Sequence, residues 1–428
     1  MTPPTPVPNR VLTAPSSAYS APLTDSVDGA AELQGLYGPF SFPEKLLQKI
    51  WLRGDFDRRN AFTTDGRRIT ILYPGRWNLL GGPDFRDARL RIGDAPEITG
   101  DVELHLRATD WAAHKHAVDP AYDRVVLHVV LFPPAADYVT RGAGDREIPV
   151  LALLPLVHHD LEEFAADDAI ETIAQRPAAQ IMEHLGPLPL TDLAALLARH
   201  SETRLWQKIH FARLRLHRLG WNEACHQTAL EILGYRFNRA PMLRVATAFP
   251  LAAWTDTFDP EAAFAAEEAA WSLQGVRPAN HPRLRLAQYA RWVRARPDWP
   301  ARLATLGERL PPADPLAATG EIRQGRGFTD LRREWLADVC ANEVGGTRFD
   351  NLMCDGFLPL LAARADLPVR GVWQHWFAGD LPAILPQALR QLGVFDGHAH
   401  PVCHGTVQGL LGWLIEQDRI PSSSGRGA

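Results

Sequence analysis

Between residues 81 and 128 the chain crowds together side chains able to hold a divalent cation. The stretch GGPDFRDARLRIG is followed by GDVELHLRATDW and then by HKHAVDPAYDRVVLHVV. Four of the sixteen histidines, His105, His114, His116 and His128, fall here beside Asp84, Glu103, Asp110 and Asp119. Carboxylate and imidazole are the groups that ligate divalent metals. A cation so held polarises a phosphate oxygen and lowers the pKa of bound water, which is what phosphodiester hydrolysis requires. Asp84 enters one strand behind Pro83, and Glu103 and His105 stand two apart in the next. Asp84 and Glu103 are therefore the expected metal ligands, with magnesium or manganese the expected ion. His105 is the expected general base or a further ligand.

Only a sheet brings such residues together. RRITILYPG, DFRDARLRIG and ITGDVELHLRA read as strands, the last with Val102, Leu104 and Leu106 on its buried face. RVVLHVVLF is apolar almost throughout, as a central strand covered on both faces is, and EIPVLALLPL is a further strand. A two-residue turn at Gly93–Asp94 would set Asp84 opposite Glu103 on one face and Phe85 opposite Val102 on the other. His105 then lies two positions along the Glu103 face. Pro96 argues for a longer loop, in which case a bulge at Thr99–Gly100 has to restore the register.

Supporting roles are expected nearby. Asn78 would fix the loop that presents Asp84, His114 and His116 would complete the metal shell or touch substrate, and Asp119 would orient one of those rings. His128, inside an apolar strand, reads first as a satisfied core histidine. A phosphate-tracking surface is expected on a later helix, where Arg204, Lys208 and Arg215 lie among aromatic residues. In GHAHPVCHG, the crowding of His398, His400, Cys403 and His404 suits a tetrahedral zinc site poorly.

With 428 residues, 46% hydrophobic and 22% charged, the chain has the composition of a soluble globular protein. Its net charge of −5 confines any nucleic-acid surface to a local patch. Four cysteines lack any CxxC pair, no apolar run is long enough for a membrane span, and no signal peptide opens the chain, so a cytoplasmic location is expected. Nothing in the sequence fixes an oligomeric state. The expected organisation is a proline-rich disordered leader over 1–30, an α/β (α+β) domain with a mixed β-sheet over 31–156, a mainly α-helical domain over 157–418, and a disordered tail over 419–428. FPEKLLQKIWLRG opens the first domain as a helix burying Leu46, Leu47, Ile50 and Trp51. In the second domain, Thr191 would cap a long helix stopped by Gly220, and further helices would end near Gly234 and Gly275.

The arrangement of Pro83–Asp84 and Glu103-Leu104-His105 behind a helix resembles the PD-(D/E)xK nuclease superfamily, with histidine where that superfamily has lysine. The resemblance implies a restriction-endonuclease-like fold and a metal-dependent nuclease acting on DNA or RNA. More of the chain is similar to a bacterial family designated domain of unknown function 2851. PGRWNLLGGPDF, GDVELH, DWAAHKHAVDPAYD, VVLHVV, GYRFNRAPM, RPANHPRLRLAQ and VCHGTVQGLLGWL carry that likeness, from about residue 32 to 418. The readings that compete with a nuclease are a metal-dependent hydrolase of a small substrate and a non-catalytic interaction scaffold.

Overall fold

A computed structural model describes residues 30–35, 38–173, 178–273 and 276–419. The expected leader, apart from Ala30, the expected tail, apart from Arg419, and the helix end near Gly275 lie outside them. The chain divides into two compact units, residues 1–165 and 166–428. The division falls within a helix (Leu161–Ile173), a few residues beyond the expected boundary.

Unit 1 opens with an antiparallel pair, β1 (Ala30–Gly35) and β2 (Gly38–Pro43), which buries Ala31, Leu33, Phe40 and Phe42. Phe42 and Pro43 thus end a strand, and helix α1 (Glu44–Arg53) starts after them. Its apolar residues recur at helical spacing, and Leu46, Leu47, Ile50 and Trp51 go into the core as the sequence predicts.

The main sheet joins β3 (Ile69–Tyr73), β4 (Arg76–Trp77), β5 (Phe85–Ile92), β6 (Ile98–His105), β7 (Val125–Val130) and β10 (Val150–Ala152) in the order β10-β7-β6-β5-β3, with β4 also on β5. β3, β5 and β6 run antiparallel, while β6, β7 and β10 are parallel. The sheet is therefore mixed, as expected. A parallel β6–β7 pair requires a crossover, and the HKHAVDPAYD segment lies in it, between helix α2 (Asp110–Ala113) and β7. A second small pair, β8 (Thr140–Arg141) and β9 (Glu147–Ile148), follows β7. One sheet face packs Phe85, Val102, Leu104, Leu127 and Val129 against α1, and period-two alternation sends Glu103, His105 and His128 to the other.

The β5–β6 register arises differently from the expected one. No two-residue turn forms: β5 ends at Ile92 and β6 begins at Ile98. Phe85 still faces Val102, because a bulge between Phe85 and Ala88 offsets the longer loop. The bulge lies on β5, not at Thr99–Gly100. Asp87 occupies it at φ 58° and donates its N–H to Asp101 Oδ1 at 3.0 Å, while its carboxylate pairs with Arg76 and Arg124.

Unit 2 is helical. Its core gathers Trp292, Trp299, Trp335, Trp373 and Trp376, all almost fully buried. A second cluster packs the start of the long helix Leu190–Leu233 against the helix His404–Arg419. The long helix begins directly after Pro189, so Thr191 lies inside its first turn and does not cap it. Gly220, at φ 74° and ψ 173°, interrupts it where the sequence predicts a stop. No described helix is long and apolar enough to cross a membrane.

Candidate functional site

β6 places Glu103 and His105 on one face, each almost wholly buried (5% and 1% exposed). Asp84 lies just before β5. Its N–H donates to Glu103 Oε2 at 3.0 Å, and its own Oδ2 accepts the Leu104 N–H at 3.0 Å. The two carboxylates expected to meet are thus neighbours, held by each other's strand. Asn78 has its expected position: its Nδ2 donates to the carbonyls of Gly81 (3.2 Å) and Pro83 (2.9 Å), bracing the loop that leads into Asp84.

α1 contributes two groups that the sequence reading missed. Trp77 Nε1 donates to Gln48 Oε1 at 3.0 Å, which turns the Gln48 amide so that its Nε2 donates to Asp84 Oδ1 at 2.6 Å. Glu44, in the first turn of α1, is close enough to Asp84 and Glu103 for their charges to act on it. A glutamate and a glutamine four apart, on the turn of α1 nearest the sheet's acidic positions, were the available signal. What they lacked was any cue to where α1 packs.

The histidines converge more tightly than the acids. Lys115 adopts φ 61°, and the turn it makes lets both His114 and His116 reach His105. His105 Nε2 lies 3.1 Å from His114 Nδ1 and 3.3 Å from His116 Nε2. Glu103 Oε1 lies 3.5 Å from His105 Nε2 and 3.4 Å from His116 Nε2. The other nitrogen of His105, Nδ1, meets His128 Nε2 at 2.9 Å, and His128 Nδ1 meets the Thr140 hydroxyl at 2.8 Å. His128 is therefore a satisfied buried histidine, and its partner is the central imidazole. The His116 ring stacks on Tyr122 with centroids 3.7 Å apart, while its Nδ1 has no hydrogen-bond partner. Asp119 is not that partner: it accepts the Ala121 N–H at 2.9 Å, capping the following turn, and acts on His116 only through its charge.

Burial dominates the electrostatics. Removal from water, with the neighbouring acids adding repulsion, raises Glu44 and Asp84 to about 8, and burial raises Glu103 to about 8. Burial and the surrounding imidazoles push His105 down to about 2, and burial takes His128 to about 3. None of the three acids has an arginine or lysine ion-pair partner among the described residues. The cluster is short of positive charge and rich in lone pairs, as a cation site is.

The expected nucleic-acid face is a correction. Lys208 Nζ pairs with Asp355 at 2.8 Å, Arg215 pairs with Glu231 at 2.7 Å and bonds Thr228, and Arg204 is buried against Gln207 and Gln408. Helical packing turns these cations towards partners within unit 2: a buried glutamate for Arg215, a half-buried aspartate for Lys208 and two glutamine amides for Arg204. In the Cys403–His404 segment the candidate zinc donors do not converge among the described residues: the Cys403 thiol bonds Thr406, and both ring nitrogens of buried His404 lack partners.

Comparison with curated proteins and with solved structures finds no match to this chain. A family model described as "Protein of unknown function (DUF2851)" matches residues 44–266, running from α1 through the site and into the helical unit. GYRFNRAPM lies inside the match, whereas RPANHPRLRLAQ and VCHGTVQGLLGWL lie beyond it. With just over half its length covered, from the first residue of α1 onward, the chain belongs to the DUF2851 family.

Proposed function

We propose that unit 1 is a divalent-metal-dependent hydrolase that cleaves phosphodiester bonds in nucleic acid. The observation that carries the reading is the meeting of Asp84, Glu103 and His105 at one sheet surface, beside Gln48 and Glu44 of α1. The order of helix, strand, Asp-bearing strand and Glu-x-His strand also agrees with the nuclease superfamily that the sequence resembles. A divalent cation held by Glu103 and its neighbours would polarise a phosphate oxygen and acidify a water. Asp84 and Glu44, beside Glu103, are the carboxylates placed to exchange a proton with a metal-bound water. His105 stays neutral and offers an electron pair, which assigns it to ligation in preference to proton exchange. Gln48 and Asn78 position Asp84 from either side. The buried cysteines, all free, suit a reducing compartment, and we place the protein in the cytoplasm.

The test is cleavage of a panel of single- and double-stranded DNA and RNA with magnesium, manganese or zinc. Asp84→Asn and Glu103→Gln should each lower the rate by about 100-fold or more. No cleavage of any substrate, or cleavage undiminished by Asp84→Ala, ends the nuclease reading. Hydrolysis of a small substrate is the second reading. It is favoured by the inward commitment of Arg204, Lys208 and Arg215, and it predicts stoichiometric metal without salt-dependent affinity for nucleic acid.

A further inference from the structure

We propose that His105 Nε2, His114 Nδ1 and His116 Nε2, with a water as fourth ligand and Glu103 Oε1 beside two of them, form a tetrahedral centre for a borderline transition ion of the zinc type, in place of a hard magnesium site. The inference rests on the reading that this cluster holds a divalent cation, and not on what the substrate is.

The separations carry it. Donors about 2.05 Å from a tetrahedral ion stand about 3.3 Å apart, whereas adjacent donors of an octahedral magnesium ion stand about 2.9 Å apart. The distances between these donors are 3.1 Å (His105–His114), 3.3 Å (His105–His116), 3.5 Å (His105–Glu103) and 3.4 Å (His116–Glu103). The three imidazole donors all lie within 4.8 Å of one another, as in a three-histidine zinc site; Glu103 Oε1 closes on His105 and His116 but does not join that group. His105 Nε2 faces two other ring nitrogens and a carboxylate oxygen at once, so three electron-pair donors surround one point, an arrangement that a bound cation can bridge. Three imidazoles with one carboxylate suit zinc, or cobalt in its place, better than magnesium, which prefers oxygen ligands and keeps its water.

The support behind the centre is consistent with that assignment. Ligation through Nε2 leaves the His105 proton on Nδ1, where it is donated to His128 Nε2. His128 then keeps its own proton on Nδ1, donated to the Thr140 hydroxyl. This buried chain fixes the ring and tautomer of the central ligand, so His128 is a positioning residue. Glu103 is fixed in turn by the Asp84 N–H on its other oxygen. Glu103, His105 and His116 are buried, while His114 is exposed, which opens the centre to solvent on one side.

The experiment strips the full-length protein with chelator and reloads it with zinc or with cobalt(II), whose visible bands are intense in a tetrahedral site and weak in an octahedral one. Elemental analysis should find one zinc per chain, and the cobalt form should show the intense bands. His105→Ala and His116→Ala should abolish stoichiometric binding, His114→Ala should shift the bands as water replaces an imidazole, and His128→Leu should weaken affinity about 10- to 100-fold with the bands retained. Where an alanine variant fails to fold, the wild-type cobalt spectrum and His116→Gln decide. Weak octahedral bands, binding of magnesium alone, or bands unaltered by His114→Ala and His116→Ala overturn the proposal. Tetrahedral binding without cleavage of any nucleic acid defeats the nuclease reading and leaves this one standing. Cleavage with magnesium and an octahedral cobalt spectrum does the reverse.

Discussion

Replacing Glu103 by glutamine should stabilise the metal-free protein, and should do so increasingly as pH rises. Burial holds the Glu103 carboxyl at about 8 in the folded chain against 4.5 when free. Between those values the native state keeps a proton that the unfolded chain releases, so stability falls by about 1.4 kcal/mol per pH unit. The contribution is therefore whole below about pH 4.5 and fully lost by about pH 8. At pH 7 the deficit is about 3 kcal/mol, and glutamine, of the same shape and never charged, escapes it. Its amide can also donate to the bare nitrogens that Glu103 Oε1 now faces, while its carbonyl still accepts the Asp84 N–H. In a unit of this size that difference corresponds to a rise in melting temperature of roughly 6–12 °C at pH 7, shrinking towards zero near pH 4.5. Subtracting the two proteins cancels the buried histidines. His105 and His128, with pKa values lowered to about 2 and 3, make stability rise with pH up to about 6.5 in both chains. The assay is thermal unfolding in chelator from pH 5 to 8, repeated with saturating zinc, which should narrow the difference by stabilising the wild type more than the variant. A glutamine variant that melts lower than wild type in chelator at pH 8, or a difference flat with pH, refutes the reasoning.

Other perturbations separate scaffold from site. Lys208→Met should destabilise unit 2 by about 1–2 kcal/mol, because half-buried Asp355 loses its ion pair and keeps only the Asn351 bond, and should leave affinity for nucleic acid unchanged; denaturant melts and binding titrations check both. Gly100→Ala should cost about 2 kcal/mol or more, since a Cβ there would lie 2.3 Å from Val126 Cγ1 and 2.7 Å from the Arg124 carbonyl in the adjoining strand. Chemical unfolding of the variant measures that loss. Asn78→Ala removes the two bonds to Gly81 and Pro83 and should cost about 1–2 kcal/mol. Faster hydrogen exchange over residues 78–84 is the readout, with α1 unaffected.

What the sequence determined by itself was local and periodic. Helical spacing announced α1 and the residues it buries, and alternation announced that Val102 and Leu104 point one way while Glu103 and His105 point the other. Those assignments depend on the repeat of helix and strand, which every short window of residues carries. The change from sheet to helix was legible for the same reason, as was the break at Gly220. Tertiary structure decided the rest. Asp84 reaches Glu103 only because the Asp87 bulge compensates a five-residue loop, and two distant arginines hold that bulge. Glu44 and Gln48 joined the site through the packing of α1, and His114 and His116 turned onto one nitrogen through a left-handed residue between them. Arg204, Lys208 and Arg215 had the pattern of a solvent face but found protein partners, Gln408 and Asp355 far along the chain and Glu231 beyond the Gly220 break. Charge, unlike hydrophobic periodicity, does not declare its partner in sequence. Whether a cation meets water, phosphate or a buried carboxylate depends on what folding brings beside it.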